Sequence, residues 1–409
     1  MEAIVERGAG VDVGQATVVA TVLLGPAHTR PRKETRTFRT LTRDLIALRD
    51  WLLSLGVTHV GMESTGIYWK PIYAILEGHV GEVIVGNAQH IKNVPGRKTD
   101  VKDSEWLAEL VRHGLIAKSF VPPQPIRELR DLTRYRRKLV ESRTAERNRL
   151  LKLLETANIK LSSIASDVFG VSGMLMLRAL VAGVAPPPEI AQLAKGRLRL
   201  KLQELAWALE GRLEVHHRFI LNLQIRRLDL LDDDLTALEQ EIDRRLEPHR
   251  AEYNLLRQIP GVDGVIAAVI LAELGTDMTV FRGPAAAAAW SGVCPGNNQS
   301  GRRRRAQRVR RGNIHIQTAL FEAAMAASRT KGSYLKDKYH RLRSRRGAKR
   351  AGMAIAHKIL IAAYHMLLER CAFKDLGDHY LDSLEPKRTT KHLVRRLERQ
   401  GYRVTLTAA

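Results

Sequence analysis

The sequence predicts an α/β N-terminal domain, a long helical middle region and a mostly α-helical C-terminal domain with a helix-hairpin-helix-like element. Three observations predict it. Residues 1–124 alternate between short β-rich runs and segments of helical spacing. Residues 125–250 are rich in helix formers. Residues 251–370 read as helices joined by Gly-rich turns, and they hold most of the excess positive charge.

In the first domain, Gly10-Val11-Asp12-Val13-Gly14 is short, β-branched and bounded by glycine. Ala16 to Leu24 is a β-rich run closed by Gly25-Pro26, and Thr35 to Thr40 reads as a third strand. Leu45, Leu48, Leu52 and Leu55 recur at helical spacing, so Leu41 to Leu55 reads as a helix, with Thr42 or Asp44 as its cap. Val57 to Met62 reads as a strand, Tyr68 to Leu76 as a helix, Glu82 to Val85 as a strand and Asp100 to His113 as a helix. The order β-β-β-α-β-α-β-α describes three hairpin-linked strands followed by crossover units. Val121-Pro122-Pro123-Gln124-Pro125 breaks the chain and marks the boundary.

In the middle region, Ile126 to Leu154 forms a polar, basic helix. A second helix spans Leu198 to Leu246. Within it Leu228, Leu231, Leu235, Leu238 and Ile242 follow alternating steps of three and four, a heptad-like seam. Such a seam suits a helix packed in its own domain, an antiparallel helical pair or a dimer interface. Ala185-Pro186-Pro187-Pro188 reads as a linker or turn.

The third domain begins near Ala251. Ile259-Pro260-Gly261-Val262-Asp263-Gly264-Val265 separates two helical patterns. A turn of this kind exposes backbone N–H groups at a helix N-terminus, which favours phosphate. A plain tight turn is the structural alternative. Residues 371–409 form a basic tail.

Charge narrows the function. The net charge is +24, of which residues 251–370 hold +14 and residues 1–124 only +2. A polyanionic partner follows, and nucleic acid is the usual one. Two cysteines, Cys294 and Cys371, exclude a disulfide framework or a cysteine-based zinc site and suit a reducing cytosol. No apolar run approaches the ~20 residues of a membrane helix. The N-terminus has no basic head followed by a long apolar core, so it does not read as a signal peptide.

Four carboxylates stand out. Asp12 lies between two valines in the first strand, where an acid is costly unless it is paired or metal-bound. Glu63 ends an apolar strand, and strand ends in α/β sheets are where sites form. Asp100 and Asp103 are three apart at the start of a helix, hence on one face. Read alone, these last two are ordinary first-turn acids. The four can converge if the first and fourth strands are neighbours and the helix crosses them. Clustered carboxylates stay ionised only with compensating cations, and hard oxygen ligands favour Mg²⁺ or Mn²⁺. Two such ions can clamp a phosphodiester.

A second motif runs from Trp290-Ser291-Gly292 through Gln299-Ser300-Gly301 into Arg302, Arg303, Arg304 and Arg305. Arg308, Arg310 and Arg311 follow, then Gly312-Asn313 and a helix. Arginines here can hold a phosphate and stabilise charge in phosphoryl transfer. Serine is a weak nucleophile unless assisted, so a phosphate-contacting or turn serine is the plainer reading. Arg345, Arg346, Lys349 and Arg350 read as phosphate-backbone contacts or as a solvated helix face.

The segments Gly10-Val11-Asp12-Val13-Gly14, Gly61-Met62-Glu63-Ser64-Thr65-Gly66 and Thr99-Asp100-Val101-Lys102-Asp103 together resemble the RuvC-like (ribonuclease H-like) fold with an Asp-Glu-Asp-Asp tetrad. With the Ile-Pro-Gly hairpin, the Ser-Gly and the Arg-Gly-Asn, the chain is similar to insertion-sequence transposases of the IS-one-ten and IS-eleven-eleven type. The likeness spans about residues 8–155 and 251–367. It implies that Ser300 is the nucleophile and that Asp12, Glu63, Asp100 and Asp103 hold Mg²⁺ (or Mn²⁺). It implies DNA strand cleavage and rejoining through a phosphoserine link, on donor and target DNA chosen by a structured non-coding RNA. It also implies a homodimer or homotetramer in the bacterial cytoplasm. A metal-dependent nuclease or junction resolvase would use the tetrad with water as nucleophile. A non-catalytic nucleic-acid-binding protein would use the acids only as helix caps.

Overall fold

The computed structural model describes residues 3–64, 66–88, 91, 103–295, 299–300, 303–304 and 312–407. The chain divides into two compact units, Met1–Val121 and Pro122–Ala409.

The first unit is a mixed α/β fold built on a five-stranded sheet. Its elements are β1 (Arg7–Val13), β2 (Thr17–Leu24), β3 (Arg32–Arg39), α1 (Thr42–Ser54), β4 (His59–Glu63), α2 (Trp69–Leu76), β5 (Glu82–Gly86) and α3 (Asp103–Arg112). The sheet order is β3-β2-β1-β4-β5. The first three strands are antiparallel neighbours, and β4 and β5 run parallel to β1. The element order read from the sequence is therefore the observed one, because the runs are short, β-branched and bounded by turn residues.

The two sheet faces differ. Ala9, Val11, Ala20, Val60 and Met62 pack against Leu45, Leu48, Trp51 and Leu52 of α1 and Ile72 and Leu76 of α2. On the opposite face, Gly8, Gly10 and Gly61 lie under α3. A Cβ at Gly10 would collide with the main chain of Ser104 and Ala108, and one at Gly61 with the side chain of Val111. The helix thus rests on bare strand backbone. A hydroxyl chain fixes its first turn: Ser104 Oγ lies 2.8 Å from Thr21 Oγ1 on β2, which lies 3.0 Å from Thr35 Oγ1 on β3.

The second unit is mostly helical. Its longest elements are α4 (Gln124–Thr156) and, beyond the segment between them, α7 (Val215–Leu246). These pair antiparallel, as the ion pairs Arg136–Glu239 and Arg143–Asp232 show. The seam residues Leu231 and Leu235 pack against Leu139 of α4, with Leu238 beside them. The heptad-like seam is thus filled by the chain's own helix.

The long helix expected from Leu198 to Leu246 is divided. Gly196–Lys201 forms a 3-10 turn, α6 spans Leu202–Leu209 and α7 begins at Val215. Gly211 sits at the break, where a Cβ would collide with the Ala157 carbonyl oxygen, and Arg212 N–H donates to that oxygen at 2.9 Å. Periodicity alone carries no signal of such a close approach. The segment also holds α5 (Val171–Ala182), and its Leu161, Met176, Leu177, Ile190 and Leu205 share one apolar core with Leu150 and Leu154 of α4 and Leu221 and Ile225 of α7. The proline run expected as a linker or turn leads into the short helix Pro187–Ala191, where proline suits the first turn.

The longer helices that follow are α8 (Arg250–Leu256), α9 (Gly264–Leu274), α10 (Pro284–Trp290), α11 (Ile314–Ala327), α12 (Tyr334–Arg346), α13 (Ala348–Glu369) and α14 (Pro386–Glu398). By length and composition α13 is apolar enough to cross a membrane, although charged residues interrupt its run in the sequence. It buries Ala351, Ile355, Ile359, Leu360, Ala363 and Leu367, as a core helix does.

Candidate active site

The sheet register decides which acids can meet. The β1–β4 ladder runs in parallel from Gly8↔His59 to Val11↔Met62, so its next step sets Asp12 beside Glu63. Strand alternation puts Asp12 on the face of Gly10 and Glu63 on the face of Gly61, both under α3. Asp103 opens α3, next to the Ser104 whose backbone lies over Gly10. All three carboxylates are half-buried. They share one face and one end of the sheet, the carboxyl ends of two parallel strands. Asp100 lies outside the described residues. Among the described residues, no three His, Cys, Asp or Glu side chains group closely enough to hold a metal ion. The donor chemistry of the three acids, all hard carboxylate oxygens, fits Mg²⁺ or Mn²⁺.

In the second unit, Gln299–Ser300 and Arg303–Arg304 form a two-stranded antiparallel hairpin in which Ser300 pairs with Arg303. Arg302, Arg305, Arg308, Arg310 and Arg311 lie outside the described residues. The segment contains two Ser-Gly dipeptides, Ser291-Gly292 and Ser300-Gly301. Ser291 is fully buried, and its Oγ has no hydrogen-bond partner among the described residues. Ser291 is therefore sealed from any large substrate.

The two flanks of the arginine-rich segment meet. A Cβ at Gly312 would collide with the backbone of Gly292. Asn313 N–H donates to the Trp290 carbonyl at 3.1 Å, and the Gln317 side-chain amide donates to the Gly292 carbonyl. Asn313 also caps α11, its Oδ1 accepting from His315 N–H at 3.0 Å.

Beneath this junction lies a carboxylate that sequence reasoning passed over. Glu273, in the last turn of α9, is 0% exposed. Arg134 of α4 grips it with two bonds, Nε to Oε1 at 2.7 Å and Nη2 to Oε2 at 2.9 Å. Arg130 Nε lies 3.2 Å from Oε2, and Asn313 Nδ2 donates to Oε2 at 2.6 Å. Arg130 further donates to the Ala272 and Glu273 carbonyls, and its guanidinium lies 5.9 Å from the Trp290 ring centroid. Burial pulls the Arg130 guanidinium down to about 10 while Glu273 opposes the shift, so it stays charged at neutral pH. The available signal was an acid inside the apolar run Val269-Ile270-Leu271-Ala272-Glu273-Leu274, the same signal that marks Asp12. Beside the cluster is a cavity of about 350 Å³ lined by Arg134, His315, Val140, Ile242 and Val269.

The segment Ile259–Val265 holds the turn between α8 and the start of α9. The first N–H donors of α9 are not all open to a ligand, because the Asp263 carboxylate accepts from Ile266 N–H at 2.9 Å. Arg345, Arg346, Lys349 and Arg350 cluster where α12 meets α13 and are all exposed. Among the described residues none of the four is ion-paired to an acid. By contrast, the middle-region cations Arg136, Arg143 and Arg178 are paired with Glu239, Asp232 and Asp229. The four exposed cations at the α12–α13 junction are thus available to attract an outside anion.

Comparison with known sequences places the chain among transposases. Residues 9–159 match the DEDD transposase family of IS110 type, and residues 253–340 match the family described as "Transposase IS116/IS110/IS902 family". Together the two matches cover more than half of the sequence, and the chain belongs to the IS110 family of transposases. A curated relative from Pseudomonas aeruginosa, "Probable family 20 transposase", is 26% identical over 286 residues, which is 69% of this chain and 75% of that protein. Membership makes the chain an enzyme that cleaves and rejoins DNA.

Proposed function

We propose that the protein mobilises an insertion sequence by DNA strand cleavage and rejoining through a phosphoserine link. The first unit acts as a ribonuclease H-like (RuvC-like) domain, a reading supported by the β3-β2-β1-β4-β5 order with its antiparallel first three strands. Asp12, Glu63, Asp100 and Asp103 hold Mg²⁺ or Mn²⁺. When bound, the cation supplies charge neutralisation at the scissile phosphate. Ser300 Oγ forms a bond to phosphorus while the bond from phosphorus to the 3′-oxygen breaks. The hydroxyl proton is lost and the 3′-oxygen gains one. The new ester keeps the free energy of the old, so rejoining needs no ATP.

Arg302 to Arg305, Arg308, Arg310 and Arg311, with Arg345, Arg346, Lys349 and Arg350, hold the DNA backbone. The helix-hairpin-helix-like element at 259–265 adds a backbone contact. A structured non-coding RNA selects donor and target, the working form is a homodimer or homotetramer, and the reaction takes place in the cytoplasm where the DNA lies.

The observation that carries this reading is the placement of Asp12, Glu63 and Asp103 on one face, at the carboxyl ends of β1 and β4 and the start of α3, inside the segment matched to the DEDD transposases. The test incubates protein, cognate RNA, DNA ends and Mg²⁺ and looks for a covalent protein–DNA adduct on denaturing gels. The expected adduct is absent in Ser300→Ala. Cutting by Ser300→Ala at the wild-type rate would show water to be the nucleophile and leave a metal-dependent nuclease instead.

A further inference from the structure

Glu273 touches neither the four acids nor Ser300 in sequence, yet it is bound to the base of the segment that carries Ser300. Its carboxylate takes the Arg134 fork, the Arg130 guanidinium and the Asn313 amide at once. A buried carboxylate is stable only when its lone pairs are filled in this way. Asn313 in turn does three things. It donates to Glu273, caps α11 and ties its own N–H to Trp290. Gly312 and Gly292 then touch backbone to backbone. The segment from Gly292 to Gly312 therefore leaves and re-enters the fold at one point, and Glu273 is the buried anchor beneath that point.

We infer that the Glu273–Asn313 hydrogen bond is a positioning device for Ser300: it fixes both ends of the nucleophile's segment so that Oγ meets the phosphorus in line. This rests on the proposed role of Ser300. The chemistry supports it in a specific way. Asn313 offers Oδ1 to the helix and Nδ2 to the carboxylate, so a single side chain reads both partners. Serine at 313 still caps a helix but cannot reach Glu273 as a donor. Aspartate still caps but sets a second carboxylate against the first. The pair Glu273→Gln with Asn313→Asp reverses the bond, the Gln amide now donating to the Asp carboxylate, and leaves the net charge of the cluster unchanged.

The test measures three quantities on the full-length protein with RNA and Mg²⁺: adduct formation at saturating DNA, DNA dissociation constant and melting temperature. Asn313→Ser and Asn313→Asp are expected to slow adduct formation by roughly ten- to a hundredfold, the range expected for a small misplacement of a reacting group. Their DNA affinity is expected to match wild type. The Glu273→Gln/Asn313→Asp double variant is expected to recover most of the rate relative to Asn313→Asp. If Glu273→Gln alone fails to fold, Asn313→Ser carries the test, because it retains the cap. Wild-type rates in Asn313→Ser, or a rate loss matched by an equal loss of affinity and melting temperature with no recovery in the double variant, would overturn the positioning role. An adduct that survives in Ser300→Ala would instead overturn the nucleophile assignment, so the two failures are distinguishable.

Discussion

A Cβ on Gly10 would collide with the carbonyl oxygen of Ser104, because the first turn of α3 lies directly on the β1 main chain. That contact brings Asp103 to the sheet end where Asp12 and Glu63 stand. Gly10→Ala therefore has no flexible side chain to push aside and must lift the helix. The expected destabilisation is about 3 kcal/mol, at the upper end for overpacking because the obstacle is backbone. Urea unfolding measures it, and a variant as stable as wild type would show that α3 is not seated as described.

Removing one acid at a time separates catalysis from binding. Asp12→Asn, Glu63→Gln and Asp103→Asn keep size and packing but not charge. Each is expected to lower strand cleavage by at least about a hundredfold, the scale of losing one oriented electrostatic stabiliser. Gel-shift affinity for DNA should hold within a few-fold. Full cleavage activity in Asp12→Asn would reduce the acids to structural caps.

The exposed cations at the α12–α13 junction predict a salt effect. Replacing Arg345, Arg346, Lys349 and Arg350 by Gln should lower the slope of log affinity against log salt by about 3 to 4, near 0.9 per phosphate contact on duplex DNA. An unchanged slope would make them a solvated surface.

Stability should fall in mild acid. Burial and the nearby Arg134 hold His315 below the ordinary imidazole value, and burial and Lys358 do the same for His357. The folded protein thus refuses protons that the unfolded chain accepts below about pH 6.5, so the unfolded state gains as pH drops through that range. The lowered carboxylates Glu82 and Asp382 titrate at lower pH and lie outside this window. The melting temperature should be lower at pH 5.5 than at pH 7.5, and the difference should shrink in His315→Gln/His357→Gln. Equal acid sensitivity in that double variant would assign the effect elsewhere.

The first unit was legible because each of its elements carries its own local signal. Glycine-bounded β-branched runs marked the strands, and leucines at helical spacing marked α1. Asp12 stood out as an acid between valines. Glu273 gives the same signal in a helix, but its partners Arg130 and Arg134 are about 140 residues away in sequence, and no local pattern pairs them. The break at Gly211 was illegible for a related reason. It depends on the approach of Ala157, from the far end of another helix. Gly10 reads in the sequence as the boundary of a strand, and only the packing shows that it admits the main chain of α3.

The return of the chain at Gly211 has a consequence for the length of the protein. Arg212 N–H bonds to the Ala157 carbonyl and Lys160 N–H to the Ala208 carbonyl, so the stretch between α4 and α7 begins and ends at one spot. The ends of a segment closed in this way stay together whatever lies between them, while its core is shared with Leu150 and Leu154 of α4 and Leu221 and Ile225 of α7. An insertion in an exposed loop of residues 158–211 therefore leaves the α4–α7 hairpin in place, whereas removal of the whole segment strips that hairpin of Met176, Leu177 and Leu205.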